Sequence, residues 1–171
     1  MPQLVDPNFM RTVVLLCKHA AEGAFGLIVN RPMLTTGRVV VNLDPPVMTA
    51  QELQLWIGGP VEPQRSWMLV GGQAEDDDVS MQVADGIYLS TSPELLRKLI
   101  TSEPPDRSRL VVGSSSWGPG QLEEELQASA WLLSDVDCDF VFTTPPDRMW
   151  EAAIRRLGAD PNALSMSRGV H

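Results

Sequence analysis

Turn-forming residues separate short, β-prone segments through the first half of the chain, which limits it to a sheet assembled from hairpins. Thr12 to Lys18 is rich in β-branched and apolar residues and reads as a strand covered on both faces. The polar stretch His19 to Gly23 turns the chain, and Ala24 to Asn30 reads as its hairpin partner. Pro32 ends that partner because proline lacks an amide donor. Leu55 to Ile57 and Ser66 to Val70 are expected to pair across the turn Gly58-Gly59-Pro60, and Asp85-Gly86 joins the strands Val79 to Val83 and Ile87 to Ser90. Arg38 to Leu43 looks like a further strand, Thr49 to Leu53 a short helical turn, and Glu75 to Asp78 an acidic loop.

Helical patterns come later. Ser92 and Pro93 start one that carries Leu95, Leu96, Leu99 and Ile100 on one face. Leu110 to Gly113 reads as a strand entering a loop over Ser114 to Gly120, and Gln121 to Leu133 then shows helical spacing. Cys138 to Phe142 reads as a last strand, and Thr144-Pro145 opens a helix that Gly158 stops. Runs of hairpins followed by helices predict the α+β class: a bent, mostly antiparallel or mixed sheet with helices packed outside, in one domain over residues 1–171, with an irregular tail from about residue 159.

Composition narrows the function classes. No apolar run approaches the roughly 20 residues that cross a bilayer, and the first residues lack the features of a secretory signal, so a cytoplasmic location without a membrane partner is expected. The formal net charge of −9 repels phosphate backbones, and no cluster of four Lys/Arg offsets it, so direct nucleic-acid binding is disfavoured. The two cysteines have no metal-ligand or disulfide spacing; no cofactor or metal is implied.

No recognisable catalytic set is present. Cys17 and His19, two apart on a strand, would share a face, where an imidazole can activate a thiol; ordinary burial of the cysteine is the competing reading. Gly113-Ser114-Ser115-Ser116-Trp117 lacks the second glycine of a nucleophile elbow, and no P-loop lysine follows Gly120. Asp76, Asp77 and Asp78 lack the alternating ligands of a calcium loop. Glu123 to Glu125 sits in first helical turns, where the helix dipole stabilises negative charge.

Several short patterns occur together: Asp6-Pro7-x-Phe9-x-Arg11-x-Val13-Val14, Cys17-x-His19, Gly23-Ala24-x-Gly26, Asn30-Arg31-Pro32, Gly58-Gly59-Pro60-Val61, Trp117-x-x-Gly120-Gln121-Leu122-Glu123-x-Glu125, Trp131-Leu132, and Trp150-x-x-Ala153 with Leu157-Gly158. In order and spacing they resemble the bacterial YqgE/AlgH family from about Met1 to Gly158. Three features depart from it: the family's usual opening strand lies upstream of the Met-Pro at which this chain begins, Ser114 and Ser115 stand where a tyrosine and small residues are common, and the end Arg168-Gly169-Val170-His171 only loosely matches the family's Gly-His ending. The resemblance implies a complex α+β arrangement around a bent sheet and transfers no enzyme activity. It also implies a link to transcription, since one branch is described as a regulator of alginate synthesis, and the negative charge makes any such effect indirect.

These observations favour a non-enzymatic binding or regulatory module acting on an unknown protein or a small anionic ligand. Its candidate surface comprises three bends: Asn30-Arg31-Pro32, Gly58-Gly59-Pro60, and Trp117 through Gly120 to Gln121. The alternative is an enzyme using Cys17 with His19. Arg31, stiffened by Pro32, suits bidentate recognition of a carboxylate or phosphate, or else an internal ion pair with Glu62 or Glu123.

Overall fold

The computed structural model describes residues 10–33, 40–41, 47–48, 54–72, 80–91, 96–97 and 107–166. Its strands are β1 (Val14–Ala20), β2 (Gly23–Ile28), β3 (Val40–Val41), β4 (Val47–Met48), β5 (Leu55–Ile57), β6 (Val61–Gly71), β7 (Ser80–Ala84), β8 (Ile87–Ser90) and β9 (Ser108–Trp117). The helices are α1 (Gln121–Gln127), α2 (Cys138–Thr143), α3 (Pro146–Arg156) and α4 (Pro161–Met166). A seven-stranded sheet runs β1-β2-β9-β6-β8-β7, with β5 also on β9; β3 and β4 pair separately. The end strands β1 and β7 approach one another, so the sheet curls toward a barrel.

The β1–β2 hairpin and the β7–β8 hairpin form where the turn chemistry predicts, the latter with Gly86 at φ +71°. All other pairs but β5–β9 are antiparallel, in line with an α+β class. Leu15, Leu27, Val29, Leu69, Ile87, Leu89 and Val111 from the sheet meet Phe140, Val141 and Met149 from the helices in the main core. A second cluster of Ala24, Trp117 and Leu122 lies under α1, with Val14 and Leu16 against it, so β1 and β2 are covered on both faces.

Several expectations are corrected. β5 does not fold back on β6; it lies parallel on one edge of β9 while β6 occupies the other. Gly58 and Gly59 cause this. At Gly58 a Cβ would collide with the Gly113 carbonyl, and at Gly59 with that of Ser114. Two backbones therefore pass too closely for side chains, and the chain crosses β9 instead of reversing beside itself. β9 continues past Gly113 through Trp117, with Ser114 and Ser115 fully buried where a loop is expected.

Cys138 to Phe142 is helical because the Asp137 side chain accepts from the Phe140 amide at 2.7 Å and caps a turn that buries Phe140 and Val141. α1 ends at Gln127, two residues before Ser129 takes a positive φ of 57°, well short of Leu133. The tail contains α4, whose entry is fixed by Asp160 Oδ1 accepting from the Asn162 amide. Leu96 and Arg97 are helical and Val40–Val41 is a strand, while the remainder of the segments 92–100 and 38–43, the turn at 49–53 and the acidic loop at 75–78 lie outside the described residues.

Candidate functional site

β2 connects two very different polar surroundings. At its start, Ala24 pairs with Trp117 at the end of β9. Trp117 is buried, and its indole donates to Glu125 Oε2 at 2.9 Å; Trp131 donates to the same oxygen at 2.7 Å. Gln121 donates to Glu125 Oε1 and accepts from the Gly118 amide, while Gly120, at φ +75°, provides the left-handed bend before α1. Trp117, Gly120 and Gln121 therefore fasten α1 to the sheet through internal hydrogen bonds.

Past the end of β2 the chain runs antiparallel to β5: Ile28 donates to the Gly58 carbonyl, Ile57 to that of Arg31, and Met33 to that of Leu55. Asn30-Arg31-Pro32 and Gly58 are thus neighbours through the backbone. The Trp117 bend lies at the opposite end of β2, roughly 20 Å away along six residues of strand. The three bends do not close around one cleft. Gly58 and Gly59 are buried at a crossing of backbones, whereas Pro60 is exposed.

Asn30 and Arg31 do line a cleft of about 200 Å³, together with Arg11, Asp147, Trp150 and Glu151. Asn30 organises its rim: its Oδ1 accepts from the Val13 amide at 2.9 Å and its Nδ2 donates to the Arg11 carbonyl at 3.0 Å. These bonds hold Arg11 at φ +53°, a conformation that costs a non-glycine residue about 1 kcal/mol or more. The Arg11 guanidinium sits 5.1 Å from the centre of the Trp150 ring. Arg31 Nη2 donates to the Met10 carbonyl. Of the carboxylates anticipated for Arg31, Glu62 pairs with Arg65 and Glu123 with His19.

The far wall is the first half of α3, where Asp147, Trp150 and Glu151 share a face at i, i+3 and i+4. Trp150 is only 6% exposed, and its buried indole N–H has no acceptor among the described residues. Two arginines and two acidic residues thus line one opening beside this buried donor. Arg11 enters the sequence reading only as part of a family pattern, and its strained backbone is invisible there. The helical spacing of Asp147, Trp150 and Glu151 is legible and marks a shared face.

Cys17 and His19 do not share a face. The β1–β2 register slips between Leu16 and Lys18, a bulge at Cys17 that adds a residue and reverses the alternation. Cys17 packs against the main core and donates to the Leu15 carbonyl; burial pushes its thiol up to about 12. His19 lies opposite Ala24 on the α1 side, with Nε2 2.5 Å from Glu123 Oε1. Among the described residues no group of three His, Cys, Asp or Glu side chains could hold a metal ion, and no helix is long and apolar enough to cross a membrane.

The surroundings of Asn30 and Arg31 combine backbone strain, mixed charge and an opening. Comparison with known proteins agrees with the sequence patterns. The AlgH-like family profile matches residues 1–162. A UPF0301 protein of Ruegeria pomeroyi is 38% identical over 99% of this chain and 94% of its own length, and one of Myxococcus xanthus is 37% identical over 100% and 94%. The solution structure of AlgH from Pseudomonas aeruginosa superposes with a TM-score of 0.75 at 30% identity, covering 100% of this chain and 90% of that one. A crystal structure of a Corynebacterium diphtheriae protein shares the fold, with a TM-score of 0.66 at 24% identity over 96% and 85%. With full-length relatives and a matching solved structure, the chain belongs to the AlgH-like family.

Proposed function

We propose that this protein is a non-enzymatic binding or regulatory module whose recognition site is the cleft formed by Arg11, Asn30, Arg31, Asp147, Trp150 and Glu151. The observation that carries the reading is the strained Arg11 backbone, held by both ends of the Asn30 amide at the mouth of a cleft containing a second arginine. A guanidinium has five donors, so contacts within the chain and a contact to a ligand coexist. The arginines suit a carboxylate or phosphate, while Asp147 and Glu151 suit a cationic group on the same partner. A small anionic ligand with a basic substituent, or a protein segment carrying both charges, matches that lining. A link to transcription, as the family resemblance implies, would then run through this partner, because a net charge of −9 opposes direct contact with nucleic acid. The test is to purify the protein and its Arg31→Ala variant in parallel from the native host and compare co-purifying proteins and metabolites by mass spectrometry. A species retained by the parent and lost from the variant at unchanged melting temperature supports the reading; identical profiles reject it.

A further inference from the structure

Arg109 occupies an unusual position on β9. Val111, two residues on, faces the main core, so Arg109 points the same way, and its cross-strand partner on β6 is the fully buried Leu69. Arg109 is only 9% exposed. Its guanidinium lies 3.8 Å from the centre of the Trp56 ring and 5.7 Å from that of Phe142, and Nη1 donates to the Val29 carbonyl at 2.8 Å. Loss of solvent pushes its pKa down to about 10.

The distribution of counterions is inverted. Surface arginines have carboxylates: Arg65 with Glu62, Arg107 with Asp139, Arg155 with Glu151 and Arg156 with Asp137. The buried Arg109, which most needs one, has none among the described residues, and the Val29 carbonyl is its one hydrogen-bond acceptor there. Cation–π contact with two aromatic rings offsets part of the desolvation but satisfies no N–H. No Arg109 nitrogen is among the buried, unpartnered side-chain atoms of the described residues, which are the indole nitrogens of Trp67 and Trp150.

We propose that Arg109 is the anchor of a second, carboxylate-binding site, with its fork taking the carboxylate of a small organic acid and Trp56 and Phe142 packing on that acid's apolar body. A carboxylate takes the fork with both oxygens in the guanidinium plane, and the aromatic rings beside it suit the apolar body of an organic acid better than inorganic phosphate. This site is distinct from the Arg11–Arg31 cleft and stands independently of the function proposed there.

Benzoate serves as the probe in an NMR titration of the folded protein, following the Arg109 Nε–Hε and Trp56 indole signals, with acetate, phosphate and chloride at matched ionic strength. The expected result is a saturable shift at Arg109, Trp56 and Phe142 with benzoate, saturation at higher concentration with acetate, and only a linear salt response with phosphate and chloride. A benzoate response no different from chloride, or one centred on Arg31 and Trp150, overturns the proposal. Arg109→Lys keeps the charge without the fork and is expected to weaken benzoate at least tenfold; unchanged affinity in a folded variant also overturns it. If that variant does not fold, the parent titration decides alone.

Discussion

The two ends of β2 contain equally conspicuous sequence patterns and put them to opposite uses. At the Trp117 end, Glu125 takes two indole N–H groups and Gln121 on its two oxygens, so the polar side chains there are satisfied inside the fold. At the Asn30 end, the amide fixes a strained backbone, and the neighbouring charges face an opening. Clustered tryptophan, glycine and glutamate therefore mark a fastening in this chain. Strain combined with an orphaned donor marks the candidate site.

The sharpest way to break the contrast is through the glycines between the two ends. Gly59→Ala combines a positive φ of 151° with a collision against the Ser114 backbone, and a loss of at least about 3 kcal/mol is expected in chemical denaturation. A near-neutral effect would show that the β5–β9 crossing is looser than described. Glu125→Ala leaves the Trp117 and Trp131 N–H groups without their acceptor, and about 2 kcal/mol of destabilisation is expected. If the melting temperature is unchanged, the Trp117 end is no fastening.

Asp137→Ala removes the α2 cap and is expected to cost about 1 kcal/mol. The Phe140 amide, and after it Arg156, holds the Asp137 carboxyl below its ordinary range. Because the folded value is the lower one, the cap's contribution is complete above the unfolded value of about 3.9 and fades as pH falls through the folded one. Stability curves of the parent and Asp137→Ala should therefore converge in acid. Divergence there would contradict the capping role.

The enzyme alternative meets its test in thiol labelling. Cys17, with its thiol pushed up to about 12, is expected to stay unmodified at neutral pH until the protein unfolds. Rapid labelling of Cys17 in the folded state would restore the thiol–imidazole reading despite the bulge.

What could be read from the sequence was local. The β1–β2 and β7–β8 hairpins follow from turn residues a few positions apart, and α3 follows from its proline start and apolar spacing. What escaped depended on distant partners. β5 looks like half of a hairpin until Gly58 and Gly59 are seen to cross β9, and a short apolar run such as Cys138 to Phe142 suits strand or helix until Asp137 caps it. The bulge at Cys17 is one unpaired residue with no compositional signature, yet it separates the proposed thiol from its histidine. Asn30 and Arg31 were legible as a stiff bend; their companions Asp147, Trp150 and Glu151 come from a helix more than a hundred residues away.

The most direct test sets Arg31→Ala beside Glu125→Ala, measuring thermal stability and retention of the co-purifying partner for each under conditions where both remain folded. The Arg31 variant is predicted to lose the partner with less than about 1 kcal/mol of destabilisation, and the Glu125 variant to lose stability and keep the partner. An Arg31→Ala protein that melts early yet still retains the partner would contradict the assignment of recognition to the Asn30 end of β2.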